Sequence, residues 1–150
     1  MTGFRWLSPL TTRPLKKPEI DASVPHWFKP DYTLPWVRLI VPMRGYSDIT
    51  GKEFEIPAGF AYDQATVPWW VRWRIRPDSS TIARAACLHD YRCPFPDKDG
   101  NYVPDPSQGE VLGYIEAAEE MRRGMLADGA WRIRANAVYW AIKNFGPRWR

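Results

Sequence analysis

Four side chains near the middle of the chain could do chemistry together: Asp63, Thr66, His89 and Asp90. The stretch Asp63-Gln-Ala-Thr-Val-Pro68 ends an alternating, strand-like run, so a carboxylate and a hydroxyl stand close together where proline turns the chain. His89 and Asp90 lie on a second run that is free of glycine and proline from Thr81 until Pro94. Ser79, Ser80 and Thr81 offer N-cap oxygens to that run, which therefore reads as a helix. Ile82, Ala85, Ala86 and His89 recur at i, i+3, i+4 and i+7 and share one stripe. Its alanines admit a close neighbour, the imidazole points into the seam, and Asp90 sits at the edge of the same face. A buried polar group left unpaired costs about 1–3 kcal/mol, so these four side chains are expected to converge.

Three chemistries compete for such a group. For acyl transfer, His89 would be the general base, a carboxylate its orienter and Thr66 the nucleophile. A nucleophilic threonine is usually activated by its own terminal amine, which an internal Thr66 lacks. For metal binding, His89 with Asp63, Asp90 and Glu119 makes an oxygen-rich set suited to a divalent ion. Catalytic zinc takes more nitrogen or sulfur than this, and the second histidine, His26, lies in a proline-rich segment. In the structural alternative, Asp63 caps the turn at Ala65 and Thr66, and His89 hydrogen-bonds a carboxylate, tying strand to helix. The structural alternative is preferred, and it requires no cofactor. The run Cys87-x-His89-x-x-x-Cys93 is a weak metal signal, because its cysteines leave different sides of a helix; Cys87 reads as a buried structural thiol.

The elements that must position these groups can be read in outline. Residues 1–35 carry Pro9, Pro14, Pro18, Pro25, Pro30 and Pro35, a density that disfavours regular helix and suits an extended wrapping arm. Phe4, Trp6, Leu7, Trp27 and Phe28 would be superfluous in a free linker, so Trp6, Trp27 and Phe28 are expected to be largely buried, in this domain or against a partner. Residues 36–150 read as one domain. An apolar strand spans 36–41, a turn falls within 46–52, and residues 52–62 alternate as a half-buried strand through Phe54, Ile56, Phe60 and Tyr62. Ser107-Gln-Gly-Glu110 has the form of a capping box opening a helix to about Ala127, with a stripe of Val111, Leu112, Ile115, Ala118, Met125 and Leu126. After Gly129, a last helix carries Trp131, Ala135, Val138, Ile142 and Phe145 inward and stops at Gly146-Pro147. The fold class is α+β: a small antiparallel sheet packed by about three helices.

With these stretches in place, the chain resembles the phage and prophage proteins grouped as domain-of-unknown-function family 1353. The resemblance rests on Pro57-Ala-Gly-Phe60, Asp63-Gln-Ala-Thr-Val-Pro68, Ala85-Ala-Cys-Leu-His-Asp90 and the two C-terminal helices, and runs from about Arg38 to Phe145. The family's serine is Thr66 here, and its usual Leu-Tyr after His-Asp is Tyr91-Arg92. The resemblance implies a phage origin and a place among tail or lysis-type proteins; it supplies no agreed activity.

Composition narrows the partners. With 150 residues, 15 prolines and 9 tryptophans, the chain can bury one core and is unlike a disordered polymer. The two cysteines make no disulfide framework and are expected to be reduced. No signal peptide is visible, and no apolar run approaches membrane-spanning length, so membrane insertion is not expected. The net charge is only +4, yet residues 121–150 hold seven Lys or Arg against Asp128. Arginines interleave with tryptophans at Trp69-Trp70-Val71-Arg72-Trp73-Arg74 and around Trp149, a pattern found in single-strand binders and in protein interfaces alike. Without a nucleic-acid motif the interface is favoured, and nucleic acid is disfavoured. Trp140 projects opposite the inward stripe, among Arg132, Asn136 and Lys143, where a hot spot would sit. The interface residues are thus Trp6, Trp27, Phe28, Trp140 and Trp149. The expected function is a virion-associated tail or baseplate component, made in the bacterial host cytoplasm and held by other tail proteins or as a homo-oligomer. The alternative is a peptidoglycan hydrolase built on Asp63, His89 and Asp90; a nucleic-acid-binding accessory protein is third.

Overall fold

The computed structural model describes residues 3–63, 81–95, 97–101, 112–146 and 148. They form two three-stranded antiparallel sheets and four helices, an α+β fold. The strands are β1 (Arg5–Trp6), β2 (Thr12–Pro14), β3 (Val37–Leu39), β4 (Met43–Ser47), β5 (Lys52–Ile56) and β6 (Ala61–Tyr62). The helices are α1 (Lys17–Ser23), α2 (Ala83–Arg92), α3 (Tyr114–Ala127) and α4 (Arg132–Phe145).

The single sheet expected from the sequence is two. One has the order β1-β4-β5 and the other β2-β3-β6. The division occurs within the 52–62 alternation, at Pro57-Ala-Gly-Phe60. There Gly59 adopts φ +94°, and the Phe60 N–H bonds back to the Pro57 carbonyl at 3.3 Å. A left-handed residue costs least as glycine, so this motif is a turn that sends the chain from one sheet to the other. Phe54 and Ile56 before the turn are buried, and after it both Ala61 and Tyr62 are.

The proline-rich segment supplies an edge strand to each sheet, with Trp6 opposite Gly45 and Pro14 opposite Val37. It also contains a helix, contrary to the reading of its prolines. Pro18 stands in the first turn of α1, where its missing N–H has no intrahelical partner to lose. Glu19 reaches back to accept the Lys16 N–H at 3.3 Å. Phe4 is buried and Trp6 half-buried, its indole N–H donating to the Gly124 carbonyl at 3.0 Å. Phe28 is half-buried edge-on to Phe95, while Trp27 remains 41% exposed in the single chain.

Gly45 is required by close approach. A Cβ there would run into the Phe54 ring, with Cε1 at 2.8 Å, and would stand 3.0 Å from the Arg5 carbonyl oxygen. Phe54 has little room to yield, because the Phe4 and Trp6 rings lie 6.0 and 5.9 Å from it. Gly45→Ala is therefore expected to destabilise the domain by about 1–3 kcal/mol, measurable as a lower denaturant midpoint with unchanged slope.

Helix α2 is the hub. Ala85, Ala86, Cys87, Leu88 and His89 are all buried, so every side of the helix is covered. Ile82, Ala85 and Ala86 join Met121 and Met125 of α3 and Val138 and Ile142 of α4 in one core. Cys87 and Leu88 face the second core, with Leu39, Met43, Ile56 and Tyr62. The expected stripe of Ile82, Ala85, Ala86 and His89 is buried throughout.

The stripe expected for α3 holds at buried Leu112, Ala118 and Met125 and at half-buried Leu126, and fails at Ile115. Ala117, Ala118, Met121 and Met125 are buried, whereas Ile115 is 43% exposed. In α4 the stripe holds at Ala135, Val138 and Ile142 but fails at its ends, with Trp131 82% and Phe145 58% exposed. Trp131 is the N-cap, with extended backbone, so a helical projection does not apply to it. The proposed capping box from Ser107 lies outside the described residues.

Candidate functional site

Helix α2 places His89 and Asp90, and the end of β6 places Asp63. His89 is fully buried, and burial pushes its imidazole down to about 4. It is therefore neutral at pH 7 and a weak base. Asp63 and Asp90 are half-buried, and both carboxylates hold the Cys93 thiol up, after the larger effect of burial. The Cys87 thiol is raised by burial and again by Asp90, with an opposing hydrogen bond from Tyr62. Both cysteines are free thiols, and raised thiols of this kind are poor nucleophiles. Asp63 and Asp90 thus both act on the thiol at the end of α2; Thr66 lies outside the described residues.

Glu119 belongs elsewhere. It accepts from Arg122 at 2.7 Å and from Arg123 at 3.1 Å, and Arg123 also binds Asp48 at 2.7 Å. The Arg122 guanidinium holds its carboxyl below the usual range. Among the described residues no three His, Cys, Asp or Glu side chains are grouped to hold a metal ion.

The neighbouring Glu120 is the polar residue that sequence reasoning missed. It is fully buried and takes Arg92 Nε on Oε1 at 3.0 Å, Arg92 Nη2 on Oε2 at 3.4 Å and the Ser47 hydroxyl on Oε2 at 2.6 Å. This cluster joins α3, α2 and the end of β4 in the interior. Its signal was the phase of Ala117, Ala118, Met121 and Met125, which turns Glu120 toward the core and Glu119 away.

A second candidate lies on the outer face of α4. Ile133 is 83% and Trp140 55% exposed, one above the other at i and i+7, with exposed Ala137 between them. The Phe145 ring packs edge-on to Trp140 at 5.5 Å. The helix contains Arg132, Arg134 and Lys143 and no carboxylate. Of the other interface residues, Trp6 is engaged within the domain, where the Arg84 guanidinium lies 5.0 Å from its ring centre. Trp149 and the segment from Trp69 to Arg74 fall outside the described residues.

Fold and site together define a small α+β domain with a closed polar interior and an apolar helix face turned outward. The chain belongs to the family described as "Protein of unknown function (DUF1353)", whose model matches residues 37–142. It is similar to "Uncharacterized protein y4jT" of Sinorhizobium fredii (strain NBRC 101917 / NGR234), with 26% identity over 106 residues. That alignment covers 69% of this chain and 27% of the relative, so the chain corresponds to about a quarter of that longer protein. No solved structure matches the chain. No helix among the described residues is long and apolar enough to cross a membrane.

Proposed function

We propose that this chain is a bacteriophage virion-associated structural protein, a tail or baseplate component held in place by protein–protein contacts. One observation carries the reading: α4 is apolar on two opposite faces. Ala135, Val138 and Ile142 face the core, while Ile133, Ala137 and Trp140 face out. A helix apolar on both sides is normally covered on both sides. The phage setting comes from the resemblance carried by the Pro57–Phe60, Asp63–Pro68 and Ala85–Asp90 motifs. Cutting the chain after Gly146 and replacing Trp140 by alanine should leave the domain folded yet absent from purified particles. Normal incorporation of that double variant would show that this surface is not the contact.

The alternative is a peptidoglycan hydrolase, favoured by two half-buried carboxylates, Asp63 and Asp90, that both act on the Cys93 thiol. It ranks second because His89 is buried and neutral, whereas a general base works best with a pKa near the working pH. Wild-type protein that cleaves purified peptidoglycan, with a folded Asp63→Asn variant that does not, would reverse the order. A nucleic-acid-binding accessory role ranks third.

A further inference from the structure

We infer that the outer face of α4 is a docking site for an acidic amphipathic helix of another protein. The inference rests on the assembly reading above and adds the chemistry of the partner. Ile133, Ala137 and Trp140 stand at i, i+4 and i+7, the spacing at which one helix presents anchors to another. A flat or irregular partner would leave Ile133, at 83% exposure, largely in water.

Charge selects among helices. Arg132 and Lys143 flank the apolar stripe on the same side, close to Asn136 in helical projection. Arg132 and Lys143, together with Arg148 beyond the helix end, have no carboxylate partner among the described residues; Lys143 and Arg148 instead lie 5.8 Å from the ring centres of Tyr139 and Tyr114. Arg122 and Arg123 are neutralised by Glu119 and Asp48 together, and Arg84 by Asp128. The cations left over therefore border the open stripe. A second copy fits poorly. Laying α4 antiparallel on itself about Ala137 and Trp140 brings Lys143 of each copy beside Arg132 of the other on the same flank, with no carboxylate on either helix. Like charges in register oppose pairing, whereas Asp and Glu beside apolar anchors favour it and set its orientation. Nucleic acid would satisfy the cations but would leave Ile133 and Ala137 against a charged backbone.

The test is site-specific photo-crosslinking of the full chain in its native host, with benzoylphenylalanine at Asn136 on the rim of the stripe. Adduct peptides are sequenced by mass spectrometry. The expected adduct is a segment of another protein with excess Asp and Glu and helical apolar spacing. Its yield should fall at least about tenfold in Trp140→Ala, as for a central interface aromatic, and likewise in Arg132→Glu/Lys143→Glu. All three substituted residues are on or near the surface, and unchanged thermal unfolding of each variant checks that the fold is intact. Adducts on a second copy of the chain or on nucleic acid, adducts indifferent to charge reversal, or no adduct at all would overturn the inference. Adducts to an acidic helix from a protein that is not part of the particle would uphold the docking site and refute the virion role. Presence in particles with any of the overturning adducts would do the reverse.

Discussion

Glu120→Leu is expected to remove about 3–5 kcal/mol of folding stability. The substitution leaves the Arg92 guanidinium, whose side chain is only 4% exposed, without its carboxylate. It also strands the Ser47 hydroxyl, which donates to Glu120 at 2.6 Å. Arg92→Leu should cost a similar amount by leaving the Glu120 carboxylate with Ser47 alone. For a domain with a total stability of about 5–15 kcal/mol, either change is severe. The cost lies in removing one member of a buried pair, since two ions withdrawn from water gain little net energy from each other. The combined variant Arg92→Leu/Glu120→Leu/Ser47→Ala should therefore recover at least half of the single-variant loss. Equilibrium urea unfolding of the three proteins decides the matter. Single losses under about 1 kcal/mol, or a combined loss equal to their sum, would mean that the cluster is not a buried, coupled ion pair.

The second large effect is a dependence of stability on pH. In the unfolded chain His89 takes up a proton near pH 6.5, whereas in the fold burial delays this to about pH 4. Between those values the unfolded state binds more protons, so stability falls as pH falls. The full loss is roughly 3 kcal/mol and levels off below the folded value. About 2 kcal/mol of it should appear between pH 7 and pH 5, before most carboxylates titrate. His89→Gln should flatten the curve in that interval, even if the variant is less stable at pH 7. An unchanged slope in the variant would place the imidazole in contact with solvent or with a charge that offsets burial.

Residue by residue, the sequence was most informative where small apolar side chains set the helical phase. Ile82, Ala85, Ala86 and His89 were legible because the stripe lies in mid-helix, with close neighbours on its face. In α3 the expected stripe omits Ala117 and Met121, which are buried, and includes Ile115, which is exposed, while Leu112, Ala118 and Met125 are buried as expected. Alanine carries little hydrophobic signal, yet it permits the closest helix approach, and so Glu119 was chosen where Glu120 is buried. Residues at helix ends misled for another reason. Trp131 and Phe145 extend the apolar pattern of α4 past the neighbours that could cover them. The turn at Gly59 was hidden because Phe54, Ile56, Phe60 and Tyr62 alternate in the sequence across it. The proline-rich segment was read by composition, which cannot reveal that Pro18 falls in a first turn or that β1 and β2 find edges to pair with. Of the candidate site, the inward stripe position of His89 is legible in the sequence, and its neutral state is not, because that depends on full burial.

The virion role is tested most directly by quantitative mass spectrometry of particles purified through a density gradient and washed at high salt. The account predicts that this chain stays with the particles, at a constant ratio to the other tail proteins across the peak fractions. Recovery of the chain only from the soluble lysate, beside complete and infectious particles that lack it, would contradict the account.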